Sequence, residues 1–149
     1  AIAVVHDTLS SGLSQDVNFD EVFEHVLMLA SELAASHGTT VRTQKDGKFG
    51  PIKSEVATTL AVALTELVTN AVEHGLADRS GLVAVHVERT AKKLEITVAD
   101  SGRGLPGGSV GNGLGTQIVR TLVEGELRGT IRWFSPSEGG TRATVSLPL

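Results

Sequence analysis

The chain has 149 residues, 40% of them hydrophobic, and a formal net charge of -4, enough for one domain with a proper core and short for two. It has no cysteine, which excludes disulfides and thiolate metal sites and suits a cytoplasmic protein. Scattered Lys and Arg, with one Trp, four Phe and no Tyr, argue against a nucleic-acid groove; with no evident stretch of about 18 apolar residues and no basic-then-apolar leader, the fragment reads as soluble and without membrane contact.

Residues 1–9 place Ile2, Val5 and Leu9 at helical spacing before Ser10, Ser11 and Gly12 break the pattern, so a helix end is expected there. The chain opens directly in an apolar run without Met and reads as a piece of something longer. Asn18 is placed to cap a second helix, Glu21 completes a capping-box pattern, and Val17 with Val22 fits a hydrophobic staple. That helix runs on Val22, Val26, Leu29 and Leu33 to a stop at Gly38. Residues 39–43 read as a strand and 45–51, KDGKFGP, as a turn.

Ser54 is placed to cap a third helix, within which the run 63–74, ALTELVTNAVEH, sets Glu66, Asn70 and His74 four residues apart. At about 100° per residue, such steps drift by only about 40°, so the three side chains share one polar face. Leu60, Leu64, Leu67 and Ala71 follow the opposite face, and Val56, Ala57, Ala61, Val62 and Val68 make the remainder mostly apolar. Such a helix is expected to be buried, and a carboxylate and an amide on it need something to satisfy them.

Residues 82–87 alternate with Val83, Val85 and Val87 on one side, and residues 94–98 with Leu94, Ile96 and Val98, which predicts a hairpin. Continuing the second phase puts Asp100 on the inward side if the strand extends that far. Gly102, Gly104, Gly107, Gly108, Gly111, Gly113 and Gly115 then crowd fourteen residues, a segment suited to wrapping a ligand or to mobility. From Thr116 the spacing is helical through Ile118, Val119, Leu122 and Val123 to Gly125; residues 129–134 and 141–147 read as two further strands. In the last strand Thr141, Ala143, Val145 and Leu147 share a phase, which points Thr141 into the same interior as Asp100. This order predicts an α+β protein, a two-layer sandwich with helices on one face of a mixed, largely antiparallel sheet.

The glycine loop GNGLG leads into the helix at Thr116, an arrangement that lets backbone N–H groups approach phosphates. A helix N-terminus contributes about 0.3–1 kcal/mol toward an anion, so loop amides and a metal must add to it. The loop lacks the Gly-Lys-Ser/Thr ending of a P-loop and lies too far beyond the preceding strand for a dinucleotide fingerprint. An inward Asp100 carboxylate can accept a hydrogen bond from an exocyclic amine such as that of adenine. The amide oxygen of Asn70 suits Mg2+ where phosphates supply the negative charge, Glu66 can accept a proton from an attacking group, and His74 can reach a phosphate. Each feature alone has an ordinary reading: a surface loop, a turn-forming Asp before Ser-Gly, a His near a helix end. Their combination in this order does not.

In that order, ELVTNAVEH resembles the N box, DSGRG the first glycine box, GNGLG the second, and GGTRATVSLPL the closing Gly-Thr strand of the GHKL ATPase superfamily, which includes sensor histidine kinases, gyrase and MutL. The resemblance spans about residues 55–149, and the short loop between the glycine boxes and the LPL ending look most like bacterial two-component histidine kinases. It implies a Bergerat-type ATP-binding fold over residues 13–149, with residues 1–12 as the C-terminal stub of a dimerisation and phosphotransfer helix. It further implies ATP and Mg2+ as cofactors, with Asn70 as the metal ligand and Glu66 as the catalytic carboxylate. Asp100 would bind the adenine amine, Gly102 and Gly104 would form the base pocket, and Thr141 would support the base. Gly111, Gly113 and Gly115, with Leu114, Thr116 and His74, would complete the nucleotide site. The usual phosphoacceptor His belongs to a segment before Ala1, so the fragment alone is not expected to autophosphorylate, and no Phe-containing box is visible between Pro106 and Asn112. The implied partners are the phosphotransfer domain of the same protein, a response regulator, and a second copy in a full-length homodimer. Competing readings are an anti-sigma-factor-type serine kinase, a non-catalytic nucleotide-sensing module, and a gyrase-like or MutL-like ATPase, which would need a following transducer domain.

Overall fold

The computed structural model describes residues 16–75, 80–102, 114–136 and 139–149. The expected helix end at residues 1–9, and with it the stub assigned to residues 1–12, lies outside them. In chain order the elements are β1 (Asp16–Asn18), α1 (Phe19–Ser36), β2 (Val41–Asp46), β3 (Pro51–Lys53), α2 (Ser54–Asn70), a π-helical turn (Ala71–Gly75), β4 (Gly81–Arg89), β5 (Lys93–Asp100), α3 (Leu114–Arg120), a second π-helical segment (Thr121–Glu126), β6 (Thr130–Phe134) and β7 (Thr141–Pro148).

Five strands form one sheet in the order β2-β4-β5-β7-β6; β2 and β4 run parallel and every other neighbouring pair antiparallel. The predicted α+β sandwich is therefore observed, with three helices among the described residues packed on one face of a mixed, mostly antiparallel sheet. Period-two alternation sends Val83, Val85 and Val87 from β4, Leu94, Ile96 and Val98 from β5, and Ala143, Val145 and Leu147 from β7 into a single core. The helices meet them with Phe19, Val22, Phe23 and Val26 from α1, Leu60, Leu64 and Val68 from α2, and Val119 from α3. The run Ser54–Glu73 is long and apolar enough to cross a membrane by length and composition, which the sequence reading did not foresee. Here it is a core helix, with Ala57, Leu60, Ala63, Leu64 and Val68 wholly buried in the domain.

Helix boundaries depart from the capping expectations. Asn18 precedes α1 but makes no side-chain cap bond, and the residue before α2 is Lys53, also without one, while Ser54 is already helical. The C-terminal stop of α1 is as expected: Gly38 has φ +76°, its N–H donates to Ala35 O, and the Thr39 N–H donates to Ala34 O, both at 3.0 Å. This pairing closes the last turn and requires the left-handed residue that glycine supplies.

Two short strands were not foreseen. β1 and β3 pair as an antiparallel ribbon with Val17 opposite Ile52, both buried. The stretch read as the turn 45–51 contributes Lys45 and Asp46 to β2, Pro51 to β3, and a fully buried Phe49. Phe49 packs edge-on against Phe19 with centroids 4.8 Å apart and beside Phe23 at 5.1 Å. Asp20 anchors this stretch: its carboxylate accepts the N–H groups of Phe49 and Gly50, each at 3.0 Å, and the Lys45 ammonium at 2.7 Å. From the other side the Arg89 guanidinium donates to the carbonyls of Phe49 and Pro51. Burial pushes the Asp20 carboxyl up, but the hydrogen bonds from Lys45, Phe49 and Gly50 outweigh it and hold it below the usual carboxylate range.

Candidate functional site

The polar stripe on α2 is half-exposed. Leu60, Leu64 and Leu67 bury the opposite face as expected, whereas Glu66 and Asn70 lie with Val62, Thr65 and Thr69 on a partly open side, and no polar or charged residue is fully buried among the described residues. The expectation of a helix buried all round is corrected: an apolar stripe suffices to seat it. Thr65 donates its hydroxyl to Ala61 O at 2.7 Å and Thr69 to Thr65 O at 2.9 Å. These hydroxyls are committed to the helix backbone, which leaves the Glu66 carboxylate and Asn70 amide as the groups this face offers to a ligand.

After Asn70 the helix changes to the π form over Ala71–Gly75, in which a step of four residues falls just short of a turn instead of just beyond it. The backbone of His74 lies in that turn; its side chain is outside the described residues. The π turn packs against β5, which brings the end of the stripe to the strand carrying Asp100.

β5 does reach Asp100, and the residue keeps the inward phase of Leu94, Ile96 and Val98. It sits mid-sheet, opposite Val83 on one side and Thr141 on the other. Its carboxylate accepts the Gly102 N–H at 2.9 Å and is also met by the Thr141 N–H. Burial among aliphatic neighbours raises its pKa, and these two N–H donors oppose the rise without cancelling it. The result is a half-buried carboxylate, oriented by backbone, on the inner side of the sheet. Thr141 is half-buried and shares the core-facing phase of Ala143, Val145 and Leu147.

α3 opens at Leu114, inside the second glycine box, and Gly115, the last residue of that box, follows in the helix, though their side chains lie outside the described residues; Thr116, in the first turn, is half-buried. α3 packs on α2. Gly104, Gly111 and Gly113 lie outside the described residues. The sequence reading gave no role to Ser101 or Gly140, which flank Asp100 in space. A β-carbon on Gly140 would lie 2.0 Å from the Asp100 carbonyl oxygen, and Gly140 has φ +81°, so only glycine fits. The signal was present in the glycine pair before the last strand, read there only as motif.

The donor set also bears on a metal. No group of three His, Cys, Asp or Glu able to hold an ion occurs among the described residues. One amide and one carboxylate on a partly open helix face fit an ion held mainly by ligand phosphates and water, as Mg2+ commonly is.

Comparison with known proteins follows the same lines. Residues 55–149 match the family of histidine kinase-, DNA gyrase B-, and HSP90-like ATPases. The chain is 38% identical over 154 residues to the sensor histidine kinase PdtaS of Mycolicibacterium smegmatis, covering 100% of this chain and 31% of that protein. Against PdtaS of Mycobacterium tuberculosis the identity is 39%, covering 100% of this chain and 30% of that one. The chain thus spans about 30% of the length of these curated relatives. In three dimensions it resembles the histidine kinase domain of the Erythrobacter litoralis blue-light activated histidine kinase, with a TM-score of 0.77 at 23% identity over 98% of this chain and 70% of that one. It likewise resembles the catalytic domain of the histidine kinase ThkA, with a TM-score of 0.72 at 22% identity over 89% of this chain and 94% of that one.

Proposed function

The chain belongs to the family of histidine kinase-, DNA gyrase B-, and HSP90-like ATPases, and from this premise we propose that it is the ATP-binding catalytic domain of a cytoplasmic sensor histidine kinase. In the longer protein it presents Mg-ATP so that the γ-phosphoryl group passes in line to a histidine nitrogen as its bond to the ADP oxygen breaks, and then onward to a response-regulator aspartate. Residues 13–149 form this domain, and residues 1–12 end the dimerisation and phosphotransfer helix through which two copies pair.

The observation that carries the reading is Asp100: a half-buried carboxylate at the end of the central strand, held by the N–H groups of Gly102 and Thr141. Such a group accepts a hydrogen bond from the exocyclic amine of adenine and repels the carbonyl that guanine carries in the same place. Gly102 and Gly104 would form the base pocket and Thr141 would support the ring. Gly111, Gly113 and Gly115 would line the phosphates, with Leu114, Thr116 and His74 completing the nucleotide site. Asn70 would hold Mg2+, which when bound neutralises charge on the transferring phosphoryl group. Glu66, one turn before Asn70, accepts or orients the proton of the attacking group. Most of the rate enhancement in this class comes from positioning and charge stabilisation.

Isothermal titration of Mg-ATP into the 149-residue chain tests the pocket. Binding is expected, with Asp100→Asn weakened by about tenfold or more, the loss of one charge-assisted hydrogen bond. No binding by the wild type, or undiminished binding by the variant, rejects the reading. In the full-length protein, Glu66→Ala should bind ATP yet lose histidine phosphorylation.

A further inference from the structure

The β4–β5 ladder ends in an unusual rung. With Val83 opposite Asp100, the next antiparallel pair is Leu82 and Ser101. In a regular hydrogen-bonded pair, two residues exchange both backbone bonds. Here the Ser101 N–H donates to Leu82 O at 3.1 Å, but the Leu82 N–H donates to the Ser101 hydroxyl at 3.0 Å instead of to the Ser101 carbonyl. A side-chain oxygen has replaced a main-chain one. The Leu82 donor is satisfied while the Ser101 carbonyl is released from the ladder, so the chain can leave the sheet at this residue. It turns at once, because the next N–H, that of Gly102, returns 2.9 Å from the Asp100 carboxylate, the local Asp-to-backbone turn that competes with strand extension.

We infer that Ser101 is a positioning residue for base selectivity: its hydroxyl ends β5 on Leu82 and so permits the turn that fixes the Asp100 carboxylate with the Gly102 N–H. The selectivity half of this inference rests on the nucleotide reading given above; the turn itself does not. Without the hydroxyl, either the Ser101 carbonyl must take the Leu82 N–H, drawing Gly102 back into line with the strand, or that N–H loses its partner. Both alternatives loosen the donor that orients Asp100. Threonine keeps the hydroxyl and suits a strand end.

The test compares wild type, Ser101→Ala and Ser101→Thr by calorimetric titration with Mg-ATP and Mg-GTP, and by carboxyl-detected NMR titration of Asp100 without nucleotide. In Ser101→Ala the preference for ATP over GTP should fall by about tenfold, the worth of one hydrogen bond to a charged group. The Asp100 titration should move further up, because an N–H bond to the charged form is lost. Ser101→Thr should retain both properties. An Ala variant with unchanged preference and unchanged Asp100 titration overturns the inference. So does one that loses ATP and GTP affinity equally while Asp100 titrates as in wild type. If the wild type binds neither nucleotide, the parent reading and the selectivity half fall together, and the Asp100 titration alone then decides whether Ser101 sets the turn.

Discussion

Gly140 lies so close to Asp100 that a β-carbon on it would be 2.0 Å from the Asp100 carbonyl oxygen. The strands bearing the candidate base site pair from Lys93–Pro148 to Asp100–Thr141, and Gly140 lies just before the last of these pairs. Gly140→Ala therefore faces a backbone clash in addition to a left-handed φ of +81°, and is expected to cost about 2–4 kcal/mol of stability. Gly139→Ala, at φ +102° with nothing within 4 Å, bears the conformational cost alone, about 1–2 kcal/mol. Urea denaturation of the two variants should rank them in that order.

Asp20 supplies a test by pH. Its folded-state pKa is held below the ordinary carboxylate value despite burial, by the hydrogen bonds from Lys45, Phe49 and Gly50. The stability it contributes is therefore fully present above the unfolded value and is lost as pH falls through the depressed folded value. Asp20→Asn should be less stable than wild type by about 2 kcal/mol near neutrality, the worth of hydrogen bonds to a charged acceptor. The gap should narrow only in acid, below the ordinary carboxylate range. A gap that vanishes already at pH 6 contradicts the clamp.

His86 behaves oppositely. It lies on the solvent face of the sheet, with Nε2 at 3.0 Å from Glu88 and Nδ1 at 3.0 Å from Asp46. Glu88 first and Asp46 next raise its pKa above 6.5. What this contributes is complete below the unfolded value and fades as pH rises through the folded one, and salt screens it because the group is open to water. Proton NMR of His86 should show its pKa falling in Glu88→Gln and in Asp46→Asn, and falling in wild type as salt is added.

Arg128 is the one non-glycine residue at positive φ among the described residues, at 57°. It ends the helical segment after α3, where the Gly129 N–H reaches Val123 O at 2.8 Å. Arg128→Gly removes a left-handed cost of about 1–2 kcal/mol and loses about 0.4–1 kcal/mol through a freer unfolded chain. The net expectation is a gain near 0.5 kcal/mol, seen as a melting temperature higher by about 2 °C.

Much of the fold was legible because strand phase survives folding unchanged. Alternation alone placed Asp100 and Thr141 in one interior, and the register puts them opposite each other. What escaped was non-local or of the wrong period. Phe49 sits among turn-forming residues, and its burial depends on Asp20 and Arg89, far away in sequence. In α1 the expected Leu29 and Leu33 are only partly buried, while Ala30 and Ala34 are fully so. A size-weighted pattern favours leucine, whereas close helix packing selects the small side chain. The three-residue strands β1 and β3 carry too few positions for any period. The pitch change after Asn70 leaves no mark in the hydrophobic pattern. Ser101 was read as part of a motif, because a hydroxyl taking the place of a carbonyl is visible only once Leu82 lies beside it.

Strand order has a consequence for biosynthesis. The central strand β5 is flanked by β4 and by β7, while β6, made earlier, lies outside β7. During synthesis, then, β5 has a partner on one edge only until residues 141–148 have emerged, and β6 has none. An apolar strand waiting with a bare edge is an invitation to intermolecular pairing. A ribosome stalled within the last strand would hold a sheet whose middle is still open, and the Asp100–Thr141 pair would be among the last features of the domain to exist.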